Sequence, residues 1–176
     1  MGTRADETES VRAHRASAPG ALGCAVITVS DTRTLETDSG GALLVRLLEG
    51  DGHRVVSRAI VPDEVEAIRS AVADGLAAAG CRAVLLTGGT GVAPRDVTPE
   101  AVRPLLDREL PGFGELFRML SYDEIGAAAM LSRALAGLVG DQVVVALPGS
   151  RGAIRTALEK LLLPELGHLA GEGRKR

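Results

Sequence analysis

Apolar positions along this chain follow two patterns that alternate. Short runs rich in Val, Ile and Leu at residues 24–30, 55–61 and 83–87 are typical of buried β-strands. Between them, at residues 40–49 and 64–79, apolar side chains recur at the spacing of one helix face. The alternation predicts a mostly parallel sheet with helices on both faces.

The second half of the chain predicts further helices and a hairpin. Pro at the second position of Thr98-Pro99-Glu100 is typical of a helix start. Strands at 132–139 and 142–147 form a predicted hairpin across Gly140-Asp141. Ser39 and Asp63 are predicted to cap the two earlier helices. Two more helices are predicted, at 112–120 and 151–168.

Length and local composition predict one folded domain with loose ends. The 176 residues suit a single domain, which we place at residues 21–170. Residues 1–20 are polar and aperiodic, which predicts a disordered N-terminal arm. Residues 171–176 are also polar and are predicted to be a loose tail.

Composition narrows the classes of function. The formal net charge of −3 disfavours nucleic acid or an anionic membrane as a partner, since both require a basic surface. Only 2% of residues are aromatic, so no broad platform for stacking bases is expected. The chain has neither an apolar signal segment near its start nor an apolar run of about eighteen residues. A cytoplasmic protein without a nucleic-acid or membrane partner is therefore expected.

Cysteine and histidine give no sign of a zinc site. Cys24 and Cys81 each begin an apolar run, so both are expected to be buried free thiols. The histidines, His14, His53 and His168, are far apart and lack the spacing of metal ligands.

A glycine-rich loop directly follows the third predicted strand. In Thr87-Gly88-Gly89-Thr90-Gly91, the glycines permit positive φ and close approach, so successive N–H groups can surround an anion. A P-loop is excluded because no Lys follows the glycines. A dinucleotide fingerprint is disfavoured because Pro94 stands where Gly or Ala is required. The loop therefore predicts a phosphate site of another type.

Polar residues follow several of the predicted strands. Ser30-Asp31, Pro62-Asp63 and Pro148-Gly149-Ser150 should meet the glycine loop at the carboxyl edge of the sheet, where α/β folds bind ligands. Asp96 would repel a phosphate unless a divalent cation lay between them, and Asp63 is expected nearby. Together they predict a Mg²⁺-dependent enzyme acting on phosphates. Taken singly, Asp63 and Thr98 are better explained as helix caps than as ligand groups, and a solvated surface charge is an alternative explanation for Arg95.

Eight motifs, in order and without large gaps between residues 24 and 169, resemble those of the MoaB/MogA family. The stretch around Phe117-Arg118-Met119-Leu120-Ser121-Tyr122 is similar to MoaB rather than MogA. The motifs are Val29-Ser30-Asp31-Thr32-Arg33, Asp38-Ser39-Gly40, Pro62-Asp63-Glu64, Leu86-Thr87-Gly88-Gly89-Thr90-Gly91, Arg95-Asp96-Val97-Thr98-Pro99-Glu100-Ala101, Pro111-Gly112-Phe113-Gly114-Glu115, Leu131-Ser132-Arg133 and Leu147-Pro148-Gly149-Ser150.

The resemblance implies a fold, a reaction and partners. The fold is a three-layer α/β/α sandwich whose mostly parallel sheet has an antiparallel edge strand. The reaction is Mg-ATP-dependent adenylylation of molybdopterin, which gives adenylylated molybdopterin and pyrophosphate in molybdenum cofactor biosynthesis. The implied assembly is a homotrimer or a dimer of trimers, and a different protein then inserts molybdate. The sequence does not distinguish a molybdenum pathway from a tungsten pathway.

The resemblance also implies roles for individual residues. Asp96 and Asp63 match the family's essential aspartates, so Asp96 is expected at Mg²⁺ and the transferring phosphates, and Asp63 at the substrate or the metal. The binding residues carried over by position are Ser30, Asp31, Ser39, Gly40, Thr87, Gly88, Gly89, Thr90, Gly91, Arg95, Ser132, Pro148, Gly149 and Ser150.

One loop departs from the family pattern, and one other function stays open. Arg151-Gly152 stands where family members usually have Pro and a Lys, Asn or Gln, although Arg151 has the chemistry to contact a phosphate. The alternative function is a non-catalytic carrier of molybdopterin. The intact Asp63 and Arg95-Asp96 favour the enzyme, because pterin binding alone requires no carboxylate that bridges a metal.

Overall fold

The computed structural model describes residues 20–174. The predicted N-terminal arm lies outside the described residues except for Gly20. Within this range the strands form one six-stranded sheet in the order β2-β1-β3-β6-β5-β4. The strands are β1 (Gly23–Val29), β2 (Arg54–Val61), β3 (Cys81–Thr87), β4 (Arg108–Glu109), β5 (Leu135–Val139) and β6 (Gln142–Leu147).

Strand direction confirms a mostly parallel sheet. β1 pairs in parallel with β2 and β3, and β3 pairs in parallel with β6. β5 runs antiparallel to β6 across the predicted hairpin turn. The two-residue β4 then pairs antiparallel with β5 and covers it, so the antiparallel strand lies one place in from the edge.

Helices cover both faces of the sheet, which confirms the three-layer α/β sandwich. Leu44 of the first helix, Phe117 and Ile154 pack with one set of strand side chains, among them Val26. Ile68 packs on the opposite face. The helices are α1 (Ser39–Gly50), α2 (Val65–Ala77), α3 (Thr98–Val102), α4 (Pro111–Ile125), α5 (Arg151–Ala157) and α6 (Leu163–Glu172), with a π-helical turn at Leu158–Leu162.

Three predicted helix starts were wrong in their capping residue. Asp38, not Ser39, caps α1, because its Oδ1 accepts the Gly41 N–H at 2.8 Å. Glu64 stands at the N-cap of α2 and makes no side-chain capping bond, which leaves Asp63 outside the helix. Thr98 is the first residue of α3, and its hydroxyl donates to the Gly88 carbonyl oxygen at 2.8 Å.

Other element boundaries moved for local reasons. α4 continues to Ile125 and stops where Gly126 adopts a φ of +64°. The first hairpin strand begins only at Leu135, because the Arg133 N–H bonds the Thr90 carbonyl oxygen outside the sheet. α6 ends at Glu172, two residues into the predicted tail.

Both cysteines are buried and unpaired, as predicted. Burial, helped by the neighbouring Cys81, raises the pKa of the Cys24 thiol to about 12, so this thiol stays protonated and acts as a small apolar side chain. Of the helices at residues 20–174, none combines the length and apolar character needed to span a membrane.

Candidate functional site

Four chain segments, including the end of β1, approach one another closely at the carboxyl edge of the sheet. A Cβ added to Gly88 would lie 2.2 Å from the Val29 carbonyl oxygen, so no side chain fits there. Gly149 lies against Gly88, and Gly40 lies against the Gly149 carbonyl, with ideal Cβ contacts of 3.5 and 3.3 Å. The loop after β3 therefore meets the loop after β6, as predicted. The start of α1 joins them, which was not predicted from strand order.

Positive φ angles shape the glycine loop. Gly88 and Gly89 adopt φ values of +109° and +62°, which favour glycine. The Gly88 N–H donates to the Leu147 carbonyl oxygen at 2.9 Å, so it belongs to the sheet rather than to an anion site. In the described part of the chain, the N–H groups of Gly89, Thr90 and Gly91 donate no hydrogen bond. These three groups remain available to an anion.

Hydrogen bonds from Thr87 and Thr98 hold the glycine loop against its neighbours. The Thr87 hydroxyl donates to the Pro148 carbonyl oxygen at 3.0 Å, which ties the loops after β3 and β6 together. The Thr98 N–H donates to the Gly89 carbonyl oxygen at 3.0 Å. Thr87 was predicted to bind substrate, but its proton already serves the protein, so its contribution is to hold the loop.

Arg133 holds the far side of the loop, a role that the sequence prediction missed. Its Nε donates to the Gly91 carbonyl oxygen at 2.7 Å, and its guanidinium also bonds the Asp96 carbonyl oxygen and the Glu100 carboxylate. The residue lay within the quoted Leu131-Ser132-Arg133 motif, but nothing in the motif indicates backbone acceptors about forty residues away. Its neighbour Ser132 lines a separate cleft beside α4.

Three aspartates gather around the glycine loop. An ideal Cβ on Gly89 would lie 2.7 Å from Asp63 Oδ1, and one on Gly91 would lie 2.7 Å from Asp96 Oδ2. Asp31 Oδ1 accepts the Asp63 N–H at 3.1 Å. The carboxylates of Asp63 and Asp96, the two predicted catalytic residues, thus lie against two glycines of the same loop.

The three carboxylates differ in their partners. The Arg95 guanidinium donates hydrogen bonds to both carboxylate oxygens of Asp31, with N–O distances of 2.7 to 3.1 Å. These hydrogen bonds lower the pKa of Asp31. Asp96 Oδ2 accepts the Ala93 N–H at 2.9 Å. The Asp63 carboxylate has no ion pair within residues 20–174, and its pKa is raised by burial and then by the charges of Asp31 and Asp96. A cation placed here would relieve that repulsion.

Asp63 and Asp96, which we call the acidic pair, suit a magnesium ion that is also bound by substrate phosphates. Within residues 20–174, no cluster of three or more Asp, Glu, His or Cys side chains is arranged to hold a metal ion. Mg²⁺ usually takes only one or two carboxylates and completes its shell with water and substrate phosphates. Asp63, Asp96 and the free loop N–H groups supply this kind of incomplete site.

A polar cleft of about 320 Å³ lies next to the acids. We call it the hydroxyl-lined cleft, because Thr28, Ser30, Thr32, Ser39 and Thr87 contribute to its walls. Of the residues predicted to bind substrate, it brings together Ser30, Ser39, Gly40, Thr87, Gly88 and Gly149. It also contains Arg33 and Asp38, which the prediction did not name as binding residues.

The remaining predicted residues have structural contacts of their own. The Ser150 hydroxyl oxygen accepts the Ala153 N–H at 3.2 Å and caps α5. Pro148 offers its carbonyl to Thr87. The buried Thr90 offers its carbonyl to Arg133.

Known proteins share the sequence and the fold of this chain. Residues 25–168 match the model of a family described as a probable molybdopterin binding domain. Molybdenum cofactor biosynthesis protein B of Bacillus cereus is 53% identical over 164 residues, which cover 93% of this chain and 97% of that protein.

Solved structures agree. A crystal structure of a molybdenum cofactor biosynthesis protein B superposes with a TM-score of 0.87 at 53% identity, covering 91% of this chain and all of the other (100%). The tungsten cofactor synthesizing protein MoaB from Pyrococcus furiosus gives a TM-score of 0.81 at 37% identity and covers 90% and 100%. The chain therefore belongs to the molybdopterin-binding-domain family of MoaB and MogA.

Proposed function

We propose that this chain adenylylates molybdopterin with Mg-ATP during molybdenum cofactor biosynthesis. A phosphate oxygen of molybdopterin attacks the α-phosphorus of ATP, the bond from that phosphorus to the β-phosphate oxygen breaks, and pyrophosphate leaves. The relatives named for molybdenum cofactor biosynthesis support the pathway. The observation that carries the chemistry is that the carboxylates of Asp63 and Asp96 lie against two glycines of the same loop.

The residues of the site have separate tasks in this reaction. The N–H groups of Gly89, Thr90 and Gly91 hold phosphate oxygens, and Arg133 keeps the loop in place. Asp96 and Asp63 hold Mg²⁺, which when bound neutralises charge on the phosphates. Such a site accelerates the reaction mainly through positioning and charge neutralisation. We assign no proton acceptor, because a phosphate dianion is itself a nucleophile.

Pyrophosphate release tests the proposal. Purified protein given Mg-ATP and molybdopterin is expected to form pyrophosphate and adenylylated molybdopterin in equal amounts. Neither product should form when molybdopterin or Mg²⁺ is left out. Tight binding of molybdopterin without any pyrophosphate would reject the enzyme and leave the carrier function.

We also propose that the protein assembles as a homotrimer, alone or as a dimer of trimers, through an apolar stripe on α4. Leu116, Met119, Tyr122 and Ile125 recur every third residue and are 47% to 62% exposed. Met130, just beyond the helix, is 76% exposed. A stripe of this kind on a soluble chain usually marks a protein–protein contact.

The assembly is tested by measuring molar mass in solution. Analytical ultracentrifugation of the natural protein should give three or six times the 18.2 kDa chain mass. Met119→Glu should shift the mass towards the monomer, because it places a charge within the stripe. Ala73→Glu, at an exposed position of α2, adds the same charge away from the stripe and is the matched control. A natural protein that sediments as a monomer would reject the proposal.

A further inference from the structure

Arg33 lines the hydroxyl-lined cleft and has no carboxylate partner in the described chain. Arg95 is paired with Asp31, and Arg58 with Asp38. The Arg33 guanidinium makes one hydrogen bond, from Nη1 to the Thr37 carbonyl oxygen at 3.1 Å, and that acceptor is neutral. Its positive charge is therefore uncompensated where it lines the hydroxyl-lined cleft.

The walls of the cleft favour an anion. The Ser30 hydroxyl oxygen accepts the N–H groups of Thr32 and Arg33, each at 3.3 Å, so its proton remains to be donated. Asp38 is the one acid that lines the cleft, and it is already bonded to Arg58 and to the Thr28 hydroxyl. The cleft thus offers the guanidinium N–H groups of Arg33 and the hydroxyl proton of Ser30 to an anion. The negative charge of Asp38, the acid in its wall, is already paired with Arg58.

We infer that Arg33 binds a phosphate group of a substrate in this cleft. A guanidinium can bind phosphate through two parallel hydrogen bonds. The hydrogen bond to the Thr37 carbonyl oxygen orients the Arg33 guanidinium for this contact. This inference rests on the proposed function for the identity of the substrates. Their phosphates come from two sources, the monophosphate of molybdopterin and the triphosphate of ATP. The acidic pair then serves the metal while Arg33 serves phosphate oxygens that the metal does not hold.

Equilibrium binding to three ligands tests the inference and identifies the source. Dissociation constants are measured for molybdopterin, dephosphorylated molybdopterin and Mg-ATP with the natural protein, Arg33→Ala and Arg33→Lys. Arg46→Ala is the matched control, since Arg46 is an exposed arginine of α1 that lies outside the cleft. Loss of a charge-assisted bond to phosphate should weaken binding about 10- to 100-fold in Arg33→Ala. Arg33→Lys should fall between, because it keeps the charge and loses the fork.

The outcomes separate this inference from the proposed function. Loss of the preference for molybdopterin over its dephosphorylated form would place the pterin phosphate at Arg33, and weaker binding of Mg-ATP alone would place the nucleotide there. An Arg33→Ala protein that binds all three ligands normally, beside an active natural protein, would overturn the inference and leave the proposed function intact. A natural protein that binds none of them would overturn both.

Discussion

Asp96→Asn is expected to slow the proposed adenylyl transfer by about 100- to 1000-fold, the usual effect of removing one preorganised electrostatic contact to a transition state. Asparagine has the shape of aspartate, and its carbonyl oxygen can still accept the Ala93 N–H that now bonds Oδ2 at 2.9 Å. The substitution therefore removes the charge and keeps the turn. The measurement is steady-state pyrophosphate release at several Mg²⁺ concentrations, beside the unfolding midpoint.

The dependence on Mg²⁺ separates a metal ligand from a support of the loop. If Asp96 holds the metal, the variant should need more Mg²⁺ and regain part of its rate as Mg²⁺ rises. Asp63→Asn should show the same pattern without loss of stability, because the Asp63 carboxylate has no ion pair in the described chain. Asp74→Asn, an exposed acid of α2, serves as the control. A full rate for Asp96→Asn at limiting Mg²⁺ would remove Asp96 from the reaction.

Sequence patterns predicted the sheet and the meeting of the loops at its carboxyl edge well, because both depend on local signals. Apolar runs and glycine stops placed β1, β2, β3 and β6 within two residues of their observed limits. Strand order then brought the glycine loop beside Asp63, since parallel strands end at one edge. The two-residue β4 was missed, because Arg108–Glu109 carries no apolar alternation and becomes a strand only by pairing with β5.

Contacts between distant residues account for the errors. Ser39 is a reasonable cap by residue type, but Asp38 caps the helix instead. Thr28 and Arg58, ten and twenty positions away, donate to its Oδ2 and so position its Oδ1 for the Gly41 N–H. The sequence also could not predict that Arg33 lacks a carboxylate partner in the described chain, because this depends on which carboxylates the other arginines bind. Arg95 reaches Asp31 across 64 positions, and no spacing rule predicts such a pair.

Asp38→Ala is expected to cause the largest loss of stability of any change at this edge, about 3 kcal/mol or more. The carboxylate is 3% exposed and accepts hydrogen bonds from Gly41 N–H, the Thr28 hydroxyl and Arg58 Nη2 at 2.7 to 2.9 Å. Alanine would leave Arg58, whose Nε is already buried without a partner, lacking its counter-ion. It would also remove the N-cap of α1. The measurement is the free energy of unfolding by denaturant at pH 7.

Acid should reduce the difference between the two proteins. Burial alone would raise the pKa of Asp38, but hydrogen bonds from Arg58, Gly41 and Thr28 outweigh it and hold the pKa below the ordinary 3.8. The stability that Asp38 contributes is therefore fully present above pH 3.8 and is lost as pH falls through the lower folded-state pKa. A gap between natural protein and variant that stayed constant well below pH 3.8 would contradict the role of its charge.

A double-mutant cycle distinguishes the ion pair from the cap. Asp38→Asn keeps an acceptor for Gly41 and should lose about half as much stability as the alanine variant, since the cap survives and the charge does not. In an Arg58→Met background, Asp38→Ala should cost less, because no cation is left unpaired. Equal losses in both backgrounds would assign the effect to the cap alone. Because Ser39 and Gly40 line the hydroxyl-lined cleft directly after this cap, the same variants should also bind substrate more weakly.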